Sequence, residues 1–234
     1  MWLAAADQVS SEMQFGGWNT DALFEADADP LRLRELATLW ESSPHEAFSQ
    51  FLALAEAGSV WSMIRVGCGY CLGLGVKRDR ASAERWFDAA FGRGSDYGLI
   101  WSARIARSRG DVAKAVGVLK VGVERGLPDA MVDLANLEMR KARTQEDRNR
   151  ARRLYDTAIE KGHLPARAAL ARAMARGAFG WRSIPEGIRG LRASCKAYRD
   201  AIDARKDRLL AAAEEEWAKP VRNSDSAGSA HEAA

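Results

Sequence analysis

Cysteine, proline and long apolar runs are all scarce in these 234 residues. Three cysteines, two of them only three residues apart, make no disulfide framework. Six prolines leave most of the chain open to helix, and Ala, Leu and Arg abound. No run of about 18 apolar residues occurs, which argues against a membrane-spanning helix. The opening Met1-Trp2-Leu3-Ala4-Ala5-Ala6-Asp7 has no basic leader and meets an acid too early for a secretion signal, so a cytoplasmic address is expected. With 47% hydrophobic and 29% charged residues, a chain disordered throughout is excluded.

What is present is unevenly charged. Residues 1–60 carry 2 basic and 10 acidic side chains, residues 61–210 carry 31 and 17, and residues 211–234 carry 2 and 5. Of the 35 basic residues, 27 are Arg, whose planar fork suits carboxylates and phosphates. A basic middle between acidic ends attracts an acidic partner or the chain's own ends.

The chain repeats itself. Gly58, Gly94, Gly126 and Gly162 lie 36, 32 and 36 residues apart. Eleven residues before them stand Ala47, Ala83, Ala115 and Ala151; seven before stand Phe51, Phe87, Leu119 and Tyr155. Four after come Ser62, Gly98, Ala130 and Ala166, and nine after come Gly67, Ala103, Ala135 and Ala171. Five aligned columns in four copies mark a repeat protein. Apolar residues before each glycine follow helical spacing, and the glycine sits where such a helix ends, in a left-handed conformation. A second helix follows at once.

Starts are marked as well. Ser43-Pro44-His45-Glu46 and Ser183-Ile184-Pro185-Glu186 read as capping boxes, Thr144-Gln145-Glu146-Asp147 as a lesser version, and Asp29 and Asp111 as N-caps. Helices are predicted over 31–41, 44–57, 59–72, 80–93, 96–108, 111–125, 128–142, 145–161, 164–176 and from 185 onward. No segment alternates with period two. The fold class is therefore all-α: a right-handed superhelical solenoid of four to five helical hairpins, which builds a core by stacking neighbours.

The stretch Val66-Gly67-Cys68-Gly69-Tyr70-Cys71-Leu72-Gly73-Leu74-Gly75-Val76-Lys77-Arg78-Asp79, continued by Ala83-Glu84-Arg85-Trp86-Phe87-Asp88-Ala89-Ala90, resembles the Sel1-like repeat. Arg153-Leu154-Tyr155-Asp156-Thr157-Ala158-Ile159-Glu160-Lys161-Gly162 is a weaker copy, and the resemblance spans about 44–180. It implies a relative of tetratricopeptide arrays: a protein-binding adaptor or scaffold, commonly in bacterial signalling, envelope-biosynthesis or secretion complexes. By the same similarity, the first helix of each pair lines a concave groove. Its groove-facing columns are then apolar at the N-terminal end, with Trp61, Ile64, Cys68 and Cys71, and basic further on, with Arg104, Arg107, Arg140, Arg172 and Arg176 around Asn136. Tyr97 and Trp101 flank them. The expected ligand is a protein or an acidic peptide held by forked arginine contacts, with Asn136 on its backbone.

Motifs suggestive of other chemistry are incomplete. Cys68-Gly69-Tyr70-Cys71 lacks a second ligand pair for zinc and a preceding strand for thiol redox work. Gly73-Leu74-Gly75 lacks the strand and the full pattern of a nucleotide loop. No nucleophile, base and acid assemble, so no enzyme activity, metal or cofactor is expected. Residues 140–182 hold 12 basic and 4 acidic side chains, which would suit nucleic acid or anionic lipid, but stacking aromatics are few.

Four regions result: an acidic N-terminal segment (1–29), the repeat array (30–184), a capping helix (185–219) carrying Ile188, Leu191, Cys195, Tyr198, Ile202 and Leu209, and a disordered tail (220–234). The reading is a cytoplasmic interaction scaffold. The alternatives are a stabilising subunit of one enzyme complex and a basic surface for nucleic acid or lipid. Residues 1–29 could cap the array, dock on a partner or occupy the basic groove.

Overall fold

A computed structural model describes residues 29–218, with backbone alone from 205 onward. The expectations for residues 1–28 and for the tail lie outside these residues. Among the described residues nine helices follow one another with short connections: α1 (Pro30–Ser42), α2 (Pro44–Ala57), α3 (Val60–Leu72), α4 (Arg80–Gly92), α5 (Asp96–Ser108), α6 (Val112–Glu124), α7 (Pro128–Lys141), α8 (Gln145–Glu160) and α9 (Leu164–Ala175). A 3₁₀ turn (Trp181–Ser183) then leads into the long α10 (Ile184–Ala218). Among the described residues there is no strand, and no helix is long and apolar enough to cross a membrane.

Each predicted column has a physical role. The four glycines close α2, α4, α6 and α8 at φ of 112°, 91°, 76° and 80°, where a side chain would be strained. The alanines eleven residues earlier are all fully buried, as are Phe51 and Phe87 in the large column; Leu119 and Tyr155 are nearly so. Small residues after the glycine let helices touch through their backbones. A Cβ on Gly98 would sit 2.8 Å from the Phe87 carbonyl and 2.7 Å from the Phe91 nitrogen. The first-unit loop packs as closely: a Cβ on Gly75 would fall 2.1 Å from the Pro44 carbonyl, which fits the preceding hairpin against this turn.

Caps follow local chemistry, with two corrections. Asp29 and Asp111 accept the amides of Arg32 and Lys114, as expected. Ser43 makes no side-chain cap; it ends α1 and starts α2 at once, and its amide goes back to Leu39. Ser183 lies in the 3₁₀ turn, and its hydroxyl donates to the Gly180 and Met174 carbonyls instead. The full capping box forms at Thr144 and Asp147. Ser59, Asp79 and Ser95 cap α3, α4 and α5 without having been singled out.

The core runs through the stack in three clusters; the second and third share Val123 and Leu154 at their border. One compact unit ends at Ser194, and a second starts at Cys195 within α10. Inside the first unit, α10 meets α9 through glycines: a Cβ on Gly187 would lie 2.3 Å from the Ala175 nitrogen, and one on Gly190 would lie 3.0 Å from the Ala171 Cβ. Of the apolar stripe expected to cap the array, Leu191 is half-buried in this unit. Ile188 stays 45% exposed because the glycine side of the helix allows the closer approach.

Candidate functional site

The basic columns fall on α5, α7 and α9, the first helices of successive hairpins. Arg104 on α5 reaches across to α7, where its Nε donates to Asp133 Oδ2 at 2.7 Å and its Nη2 to Asp129 Oδ1 at 3.0 Å. Arg107 Nη1 lies 3.7 Å from the other Asp133 oxygen, and His163 Nε2 lies 3.7 Å from Asp129 Oδ2. Asp129 and Asp133 stand four residues apart, so one helical turn offers both carboxylates to one guanidinium. Burial works against the charge on Arg104, but Asp133 and then Asp129 outweigh it and hold the guanidinium above its ordinary value. Its face also lies 5.7 Å from the Trp101 ring centroid. Arg104 is thus engaged inside the protein, tying one hairpin to the next.

The neighbouring second helices are tied in the same way. Glu84 on α4 is 7% exposed and pairs with Arg109 and, at 2.7 Å, with Lys114 Nζ. Lys114 also reaches Asp88 at 2.6 Å, and Asp88 accepts from Ser102.

Further along, the cations are open. Arg140, Arg172 and Arg176 are exposed, and none has a carboxylate within ion-pair distance among the described residues. Tyr155 on α8 donates to Asn136 Oδ1 at 2.9 Å, which takes up the amide's acceptor. Burial, and to a lesser degree Asp133, pushes the Tyr155 phenol up to about 12, while Arg172 and Arg176 pull it down.

The apolar end of the expected groove requires correction. Ile64 and Tyr97 are 3% and 1% exposed, and Trp61 is 9% exposed. All three are core: Trp61 packs 5.5 Å from Phe51, and Arg65 covers it at 4.6 Å. Trp101 is half-buried and stacks on Phe87 at 5.8 Å. Cys68 is buried, and desolvation pushes its thiol up to about 12, against the opposing pull of Arg65. That thiol stays protonated and unreactive.

Solved structures with the same stacking are known. A Sel1 repeat protein from Oxalobacter formigenes superposes with a TM-score of 0.56 at 19% identity, over 82% of this chain and 84% of that one. The fold is the Sel1-like repeat solenoid. A protective antigen of uropathogenic Escherichia coli strains, also of the Sel1-like fold, matches with a TM-score of 0.52 at 20% identity over 68% of this chain. The chain spans only 36% of that antigen's length. No family model and no curated protein matches the sequence.

Sequence reasoning found the arginines of this Sel1-like array and missed Asp129, Asp133 and His163. A signal was available. Asp129 and Asp133 fall three and seven residues past Gly126, on the face that meets the column ten past Gly94.

Proposed function

We propose that the protein is an interaction scaffold that binds an acidic segment of a protein partner on the later first helices of its solenoid. The supporting observation is a contrast along the basic columns. Arg104 and Arg107 are neutralised from within, whereas Arg140, Arg172 and Arg176 are exposed and have no carboxylate partner among the described residues. Asn136, with its acceptor held by Tyr155, directs its amide donors towards a peptide backbone. Trp61, Ile64 and Tyr97 are core residues of the first cluster and take no part in the site, and Arg104 shapes it by fixing α7 against α5. The reading is of binding, with no catalytic role, in a bacterial cytoplasmic complex.

The test is affinity capture with wild type and Arg172→Ala/Arg176→Ala. A partner that co-elutes with the first and is lost from the second supports the reading; equal capture puts the interface elsewhere and refutes it. Repeating the capture at 50 and 200 mM salt separates a protein partner from a polyphosphate, whose affinity would collapse over that interval.

A further inference from the structure

The inner hairpins show which of their residues meet the hairpin that follows. Ten residues past the repeat glycine, Arg104 crosses from α5 to Asp129 and Asp133 on α7. Ten residues before it, Phe48 packs 5.1 Å from Tyr70, Glu84 pairs with Lys114 at 2.7 Å and Arg152 lies 5.6 Å over the Phe179 ring. Seven before it, Phe51 packs 5.5 Å from Trp61, and Phe87 packs 5.8 Å from Trp101.

The start of α10 keeps this register. Tyr198 lies 36 residues past Gly162, and Gly187, eleven residues before it, is buried against Ala175 as the alanines of that column are buried. The positions of the last hairpin that face onward are therefore Arg172, Ile188 and Leu191. No further hairpin covers them among the described residues. Arg172 is exposed, and Ile188 is 45% exposed. Leu191 is half-buried, in a column where Phe51, Phe87, Leu119 and Tyr155 are at most 2% exposed.

The third hairpin carries the same chemistry at these positions, with Arg104, Val116 and Leu119, and the helix docked there is α7. The side that α7 turns to it follows one pattern. Asp129 and Asp133 take the arginine, a Cβ on Gly122 would fall 2.5 Å from the Ala130 Cβ, and Leu134 and Leu137 join the cluster of Leu119. Met131, Val132 and Ala135 belong to the next cluster, on the other side of the helix.

Charge selects the occupant of the open edge. From Leu164 to Ser194 the chain has six arginines and one acid, Glu186, so two copies of this edge repel each other. A second copy could also present α1, which starts on Pro30 as α7 starts on Pro128. Its matching positions are Leu31 and Glu35, of which one is acidic, and Arg32 already holds that one at 2.8 Å.

We infer that the last hairpin docks an amphipathic helix of a partner protein, which stands against Arg172, Ile188 and Leu191 as α7 stands against Arg104, Val116 and Leu119. The helix carries two acids four residues apart, a small residue after the first, and leucines one and four residues after the second. This docking rests on the reading of Arg172 and Arg176 as an open anion site and gives the bound segment its shape.

Fluorescence anisotropy of the full chain with a labelled peptide of residues 127–142 tests this. A staple between positions 131 and 135, on the face turned away, holds the peptide helical. It should bind wild type saturably. The Asp129→Asn/Asp133→Asn peptide should bind about tenfold or more weakly, and so should the unaltered peptide to the Arg172→Ala chain. Ile188→Ser should weaken binding too, and both chains should keep their helical circular dichroism. A peptide of the same composition with its aspartates two residues apart should also lose affinity, because a helix turns those two to different sides. Absence of saturable binding, or binding indifferent to Arg172, to Ile188 or to the aspartate spacing, overturns the inference. If capture of a protein partner still depends on Arg172 and Arg176 in that case, the scaffold reading stands without the helix. If the capture is indifferent to them as well, both are refuted.

Discussion

At the scale of residues, two arginines in equivalent positions carry different duties, and their replacement should separate them. Truncating Arg104 strands Asp129 and Asp133, whose side chains are only 14% and 11% exposed. Removing one partner of a fully buried pair costs about 3–5 kcal/mol. Arg104 is 32% exposed, so Arg104→Ala should cost less, about 2 kcal/mol, read as a lower urea midpoint. Arg172→Ala should shift the midpoint by less than about 0.5 kcal/mol, since it breaks no described pair. His163 adds a pH dependence. Burial lowers its pKa below 6.5, with Arg104 pushing the same way and Asp129 and Asp133 opposing. Below pH 6.5 the unfolded chain then binds the proton more readily, so stability is whole above that pH and falls as the pH drops towards the folded value. Urea midpoints at pH 7.5 and 5.5 should differ for wild type and converge for His163→Gln; equal losses in both proteins would assign the effect to other groups.

At the scale of elements, helix contacts depend on which glycines face a neighbour. Gly98 meets the Phe87 and Phe91 backbone, whereas a Cβ added to Gly117 in the middle of α6 would have nothing within 4 Å. Gly117→Ala should therefore stabilise by about 0.5–1 kcal/mol through helix propensity alone. Gly98→Ala has the same propensity gain but forces α4 and α5 apart, and thermal unfolding should show a net loss. Phe87→Ala should cost about 3–5 kcal/mol, because the ring is fully buried against Gly67 and Trp101. These elements were legible in the sequence because stacking repeats impose one spacing on small and large residues alike. Every residue in the four columns that accompany the glycines, from Ala47 to Ala171, is buried. The caps were legible only where one residue did one job; Ser43 failed because it serves two helices. The site was legible by half. Periodicity placed Arg104, Arg107 and Arg172 on one face, but whether a charge is free depends on what the next repeat offers. A column read one unit at a time does not contain that information.

At the scale of the whole molecule, the ion pairs act as ties between repeats that otherwise meet only their neighbours. In such an array stability is close to a sum of repeat terms and nearest-neighbour interfaces, so a weakened interface is felt locally. The three core clusters divide along these lines: the first spans α1 to α5, the second centres on α5 to α7, and the third on α7 to α9. Arg104 joins α5 to α7, the two first helices that the second cluster spans. Hydrogen exchange on Arg104→Ala should therefore accelerate in α7, α8 and α9, whose helices lose their tie to the preceding hairpin. Exchange in α2 and α3 should hold its wild-type rate, because the aromatic packing of Phe48 on Tyr70 and Phe51 on Trp61 is untouched. Uniform acceleration along the chain would mean that the array unfolds as a single cooperative block. The Arg104 pair would then be one contribution among many to a global stability, with no special place between repeats.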